Sequence, residues 1–340
     1  MTGTPTIRDV ARLAGVAVGS VSRVLNGHKS VSADVQRKVT KAIARLHYEP
    51  DRVAQSMRLG VTRTVACAIR DISIPDFGSF VTAAETMLRA RGYTLLLATT
   101  DERKERELEL LRIFLQRRVD AVMMTMSSEE DVALRRAIKQ MRIPVLLVDR
   151  DQPADLDGVT IDHRRGTFAA TEYLLRLGHE RIVLLTGRPA MRPGRERVAG
   201  FEAAFAAAGM KVDPHLVRAG AFSAEFGFRE ASAILSSSSP PTALISGGMA
   251  MLPGVLRAVA QHGLKIPRDI SIIAGSDSDL AALASPAVTA IRWSGAEQGQ
   301  IAVELLLNRL EGGYRGEAQR VLLPTELIIR GSCAPPRKSR

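Results

Sequence analysis

The sequence predicts a chain in two parts, a small all-α domain of helix-turn-helix type and an α/β core of two doubly wound lobes. Three observations carry this expectation. The first 48 residues place apolar side chains at helical spacing and contain no strand-like run. Residues 49–61 offer little apolar surface to bury and read as a linker with helix potential. From residue 62 onward, short β-rich apolar runs alternate with amphipathic stretches, the pattern of parallel sheets covered by helices on both faces.

In TIRDVARLAG, Ile7, Val10, Ala11 and Ala14 share one face, Thr6 stands where a cap belongs, and Gly15 supplies the turn. In VGSVSRVLN, at about 100° per residue, Val21, Val24 and Leu25 point to a core while Gly19, Arg23 and Asn26 point away. A third helix is expected after Ser32, with Val35, Val39, Ile43 and Leu46 on its inner face. Three short helices around an aliphatic core make one domain, residues 1–48. In the linker, Pro50 disfavours helix in the residue before it, and Asp51 can cap a helix starting after it.

In the core, residues 62–331, the runs YTLLLA, VDAVMMT, PVLLVD, RIVLLT, TALIS and ISIIAG read as strands, and SFVTAAETMLRARG and ERELELLRIFLQRR as helices. About 270 residues would be large for one such sheet, so the alternation is divided in two. Lobe one is expected at about 62–160 and 289–320 and lobe two at about 162–288, with VTAIRW crossing back to the first. Residues 332–340 are expected as a basic tail. A small ligand belongs in the cleft between the lobes, outside the carboxyl ends of the strands.

Composition narrows the class. With 340 residues, 46% of them hydrophobic, and a mean hydropathy near zero, the chain reads as globular. No apolar run is long enough for a bilayer, and the polar start has no signal-peptide core, so a cytoplasmic protein without a membrane partner is expected. Cys67 and Cys333 have no thiol or histidine at ligand spacing, so neither a disulfide framework nor a metal or other cofactor is expected. The first 60 residues hold ten Lys or Arg against four Asp or Glu, a concentration that suits a polyanion partner and equally a solvated basic surface. No Gly-rich dinucleotide turn, P-loop or GxSxG elbow occurs, and the six histidines form no metal pair, so enzymatic activity is not expected.

The ordered set TIRDVARLAGV, SVSRVLN, VSADVQRKV and YEPDRVAQSM strongly resembles the lactose-repressor (LacI) family of bacterial transcription regulators. The likeness continues through DISIPDF, IPVLLVDRD, VTIDHRRGTFAATEYLLRLGHERIVLLTG, RERVAGFEAAF and LKIPRDISIIAGSD, covering about residues 5–330. The resemblance implies a helix-turn-helix headpiece, a hinge helix at 49–61 and a periplasmic-binding-protein-like core. It implies a sequence-specific DNA-binding regulator that binds a palindromic operator as a homodimer under allosteric control by a small effector. Repression is the expected direction; an activator or dual regulator is the alternative, and a solute-binding protein or enzyme on the same core a remote one. The tail GSCAPPRKSR lacks the leucine heptads of tetrameric relatives.

By motif position, the resemblance makes residues 17–26 the major-groove helix, with Val18, Gly19, Ser22 and Arg23 at base edges. Arg23 can donate a bidentate pair to guanine; its alternatives are a phosphate contact or a solvated side chain. Val18 suits a thymine methyl, Ser20 packing or a phosphate, and Thr6 and Ser30 phosphate oxygens; Asn26 lies on the same outward face. Ala17 stands where the family usually caps with serine. In the hinge, Arg52, Ala54 and Gln55 match the family, and Met57 replaces the usual leucine wedge of the minor groove.

The resemblance aligns Asp71, Phe77, Asp149, Arg197, Phe222 and Asp277 with ligand contacts. Arg192 and Arg195 are further candidates for a counter-charge. Sugar-responsive members commonly carry Asn-Asp where this chain has Gly248 and Met249, and Trp293 stands at a usually polar position. The effector expected is therefore a sugar or, given these departures, a less polar or anionic metabolite.

Overall fold

The computed structural model describes residues 5–25, 31–48, 61–151, 153 and 155–337. The chain divides into two compact units, residues 1–63 and 64–340.

The first unit holds α1 (Ile7–Ala14), α2 (Val18–Leu25) and α3 (Ala33–Leu46). A capping box starts α1: the Asp9 amide donates to Thr6 Oγ1 at 3.4 Å while the Thr6 amide donates back to the Asp9 carboxylate at 3.0 Å. Gly15 ends it in the left-handed region at φ 65°. Ser32 caps α3. Val10, Ala11, Ala14, Val21, Val39 and Ala42 are buried, with Ile7, Val24, Leu25, Val35, Ile43 and Leu46 partly buried around them. Ala42 was not on the expected stripe. It is buried, whereas Ile43 and Leu46 are only partly buried. The hinge helix expected at 49–61 lies outside the described residues but for position 61.

The second unit contains two six-stranded sheets among the described residues. Lobe one is built on β1 (Thr64–Ile69), β2 (Thr94–Thr99), β3 (Ala121–Met124), β4 (Val145–Val148), β5 (Asp157–Ile161) and β11 (Arg320–Leu323), in the order β11-β5-β4-β3-β1-β2, with every pair parallel. Lobe two uses β6 (Ile182–Gly187), β7 (Val217–Gly220), β8 (Ala243–Ser246), β9 (Ser271–Ala274), β10 (Thr289–Arg292) and β12 (Glu326–Ile328), in the order β12-β10-β9-β8-β6-β7. Only β12 runs antiparallel to its neighbour. The central strands β1, β3, β4, β6, β8 and β9 are buried on both faces. Their largely apolar composition is what helices on both sides of a sheet require.

Two expected boundaries are corrected. VTAIRW does not cross back to lobe one: Thr289 and Ala290 pair with Ile273 and Ala274 of β9, and Val288 and Ala290 fill the lobe-two core. Return to lobe one comes one element later, with the helix Gly295–Leu310 packed against the helix Pro75–Ala90. Nor is the segment from 332 a free tail throughout. Ser332 Oγ donates to the Ile272 carbonyl at 2.6 Å and accepts from the Thr289 amide at 2.8 Å, and Ala334 exchanges hydrogen bonds with Ser271. No helix among the described residues is long and apolar enough to cross a membrane.

Candidate functional site

Strands of both lobes end at a common cleft. Arg70 follows β1, Asp149 follows β4, Gly248 lies just past β8 and Ser276 just past β9. Phe77, Asp149, Arg197, Phe222, Met249 and Trp293, all expected from sequence, line it together.

Arg197 is 5% exposed and projects from the helix Arg192–Ala207. Among the described residues its guanidinium donates to the Pro193 carbonyl, at 3.1 Å, and lies 5.5 Å from the centroid of the Phe222 ring. Burial pulls its pKa down to about 10, against the opposing pull of Asp149 and Asp76, so it stays a cation. Phe222 is seated by two glycines. A Cβ on Gly187 would stand 2.1 Å from its ring, and one on Gly248 2.4 Å. The missing side chain at 248 is thus space the aromatic ring occupies.

Asp149 accepts from the Ile161 amide at 3.2 Å and from His163 Nε2 at 2.8 Å. Burial works to raise its pKa, but His163, Arg150 and Arg197 outweigh that and hold it well below the usual range. His163 is lowered, by burial first and then by Arg197, against the opposing pull of Asp149. Its ring meets Trp293 edge-on at 5.4 Å. Asp149 itself is left-handed at φ 51°, as is the cleft residue Glu102 at 54° beyond the end of β2.

Sequence reasoning missed Arg70, Asp76, Glu102, His163 and Ser276, all of which line the cleft. Arg70 sits 3.5 Å from Glu102 and 5.4 Å from the Phe222 centroid. Its signal was available as a charge placed directly after an apolar parallel strand. Asp76 and Ser276 had no comparable signal.

Four expected cleft residues are engaged elsewhere. Arg192 pairs with Asp151 at 2.9 Å, and Arg195 with Glu129 at 3.1 Å and with Asp151. Asp277 is held by Arg330 through two hydrogen bonds of 2.7 and 2.8 Å, and Asp71 accepts from the Ser73 amide at 2.8 Å. None of the four lines the cleft. Arg192, Arg195 and Asp277 have partners distant in sequence that local periodicity does not reveal, whereas Asp71 closes a turn within its own loop.

On the headpiece, Val18 is 41% exposed, Gly19 and Arg23 are exposed, and Ser20 and Ser22 are half-buried. The Thr6 hydroxyl donates to Asp9 at 2.6 Å. Asn26, Ser30, Arg52, Ala54, Gln55 and Met57 lie outside the described residues.

Residues 6–51 match the family of bacterial regulatory proteins, lacI family, and residues 171–333 a periplasmic binding protein-like domain. The HTH-type transcriptional repressor PurR of Haemophilus influenzae (strain PittEE) is 31% identical over 329 residues, which cover 96% of this chain and 98% of that protein. The chain belongs to the LacI family. The ribose operon repressor of Escherichia coli (strain K12) is 32% identical to this LacI-family chain over 328 residues, 96% of it and 99% of the relative. Among solved structures, the lac repressor dimer bound to operator and the anti-inducer ONPF superposes with a TM-score of 0.86 at 27% identity, covering 98% of this chain and 100% of that one. A CelR–cellobiose complex gives 0.74 at 30% identity, covering 96% and 99%. As a LacI-family member the chain is a DNA-binding transcriptional repressor with an effector-binding core, and it is not an enzyme.

Proposed function

We propose that this repressor works in the cytoplasm as a homodimer on a palindromic operator, and that its effector is a small, weakly polar or anionic metabolite bound at Arg197. One observation carries the effector class. The cleft offers a buried cation with one protein acceptor among the described residues, next to an aromatic ring that fills the space beside Gly248. Charge-assisted hydrogen bonds to a carboxylate or other anion use Arg197 best, while Phe222, Phe77 and Trp293 cover an apolar body. A sugar is the second reading, because relatives are named for ribose and cellobiose and because Asp76 supplies an acceptor for a hydroxyl.

On the DNA side, α2 lies in the major groove with Arg23 reading guanine and Val18 a thymine methyl, while Ser20, Ser22, Thr6, Ser30 and Asn26 meet the backbone or base edges. Gly19 contributes no side chain, so affinity leans on paired half-sites and on the hinge residues Arg52, Ala54, Gln55 and Met57 in the minor groove. Effector binding favours one arrangement of the lobes and thereby biases DNA affinity by its differential affinity for the two states.

Calorimetric titration of the full-length protein with neutral sugars and small organic acids tests the effector class. Organic acids are expected to bind and neutral hexoses not; micromolar binding of a hexose with no response to any acid overturns the reading. For the hinge, Met57→Gly is expected to weaken specific operator binding far more than non-specific binding at matched salt. Equal losses remove the wedge.

A further inference from the structure

The helix Arg192–Ala207 carries Arg197 and begins without a cap of its own. Met191 occupies the N-cap with no side-chain hydrogen bond, and the first turn contains no acidic residue. Helix starts leave amides that need acceptors and a positive dipole end that favours a nearby anion. Pro193 removes one of these donors. The Arg192 amide remains, and it donates at 2.8 Å to Oε1 of Glu129, a residue of lobe one 63 positions earlier in the chain.

Glu129 is built for this position. It is 5% exposed. Its Oε1 also accepts the Asp151 amide at 3.1 Å, so one oxygen joins backbone groups of both lobes. Its Oε2 accepts from Arg195 at 3.1 Å, and its carbonyl accepts from Arg135 Nε at 2.6 Å, which fixes the loop that carries it. Asp151 adds a second lobe-one carboxylate against Arg192 and Arg195.

We propose that Glu129 is a positioning residue that caps the Arg197-bearing helix from the opposite lobe, so that the cap exists only while the lobes are closed. Opening the lobes strips the Arg192 amide and the Arg195 guanidinium of their buried acceptor. Closure therefore orders the turn from which Arg197 projects, and ordering that turn favours closure. Arg192 and Arg195 act in this latch and not as ligand counter-charges. The consequence for effector binding rests on the reading of Arg197 given above, whereas the cap itself is tested without any ligand.

The test uses the full-length protein, with Glu129→Ala, Glu129→Gln and, as a control for loss of a neighbouring exposed charge, Glu130→Gln. Hydrogen exchange reads the Arg192 amide. Electron–electron resonance reads the interlobe distance between spin labels at Arg112→Cys and Glu202→Cys in a Cys333→Ser background. Glu129→Ala is expected to speed exchange at Arg192 by about tenfold or more and to broaden the distance distribution toward longer values. Glu129→Gln, which keeps an acceptor and loses the charge, is expected to retain part of the protection. Glu130→Gln should match wild type in both readouts. The proposal is overturned if Glu129→Ala leaves exchange and distance as in wild type, or if exchange rises equally in β1, which would mark a general loss of stability.

Discussion

The Ser276 hydroxyl donates to the Asp76 carboxylate at 2.7 Å, and this bond spans the cleft from the end of β9 to the first turn of the helix Pro75–Ala90. Burial pushes Asp76 up to about 6, with Ser276 and Arg197 pulling the other way. An acid whose pKa is raised in the closed form holds a proton that the open form releases near its ordinary value of 3.8. Closure therefore loses stability as pH rises from about 4 to about 6, and changes little above that window. Trp293, the only tryptophan and a cleft residue, reports on it. A Trp293 fluorescence transition is expected within that window, and Asp76→Asn should abolish it. His163 also touches Trp293, so a transition that vanishes in His163→Gln and persists in Asp76→Asn would reassign it.

Arg197→Lys should weaken effector binding by about 10–100-fold, the value of one or more hydrogen bonds to a charged group, because an ammonium cannot reproduce the planar fork. Operator binding without effector should stay within about twofold of wild type, since Arg197 lies in the core unit and α2 in the other. Paired calorimetry and gel-shift measurements check the two halves. Equal loss of both would remove Arg197 from effector recognition.

Gly248→Ala places a Cβ where the Phe222 ring lies, 2.4 Å from Cδ1. Overpacking of this kind costs about 1–3 kcal/mol. In a Phe222→Ala background the same change should cost less than about 0.5 kcal/mol, because the obstructing ring is gone. Thermal or urea unfolding of the four proteins in the cycle measures the coupling, and an unchanged cost in the double variant would show that Phe222 is not what requires glycine there.

Gly19 lies within α2, and a Cβ built on it meets nothing within 4 Å. Gly19→Ala should therefore stabilise the headpiece by about 0.5–1 kcal/mol, from helix propensity alone. If α2 approaches the bases as proposed, the same variant should change operator affinity despite the gain in stability. Differential unfolding and a salt-controlled operator titration separate the effects. Arg23→Ala should cost about 1–3 kcal/mol at one base position and little on non-specific DNA.

The headpiece was legible because its information is local. Thr6, Gly15 and Ser32 mark helix ends within three residues of what they cap, and Val10, Val21 and Val39 follow helical spacing. The cleft was legible only through residues placed directly after strands or already matched by the family, such as Asp149 and Arg197. Periodicity could not choose among Arg192, Arg195 and Arg197, because the choice depends on Glu129 and Asp151, more than 40 residues away in sequence. Asp277 was misread for the same reason: Arg330, which takes it, lies 53 positions on. The lobe of β10 was hidden because a parallel strand looks alike in either sheet, and its contacts are to β9 and to Ser332, 43 positions on from Thr289.

The chain passes between the lobes after β5, after β10 and again between β11 and β12. Two bodies joined at one point can tumble freely, but three side-by-side tethers resist twisting and sliding, leaving bending as the soft motion. Energy delivered anywhere in the cleft is then channelled into one mechanical coordinate. If effectors act through closure as proposed, ligands of quite different shape would all be read through this one motion.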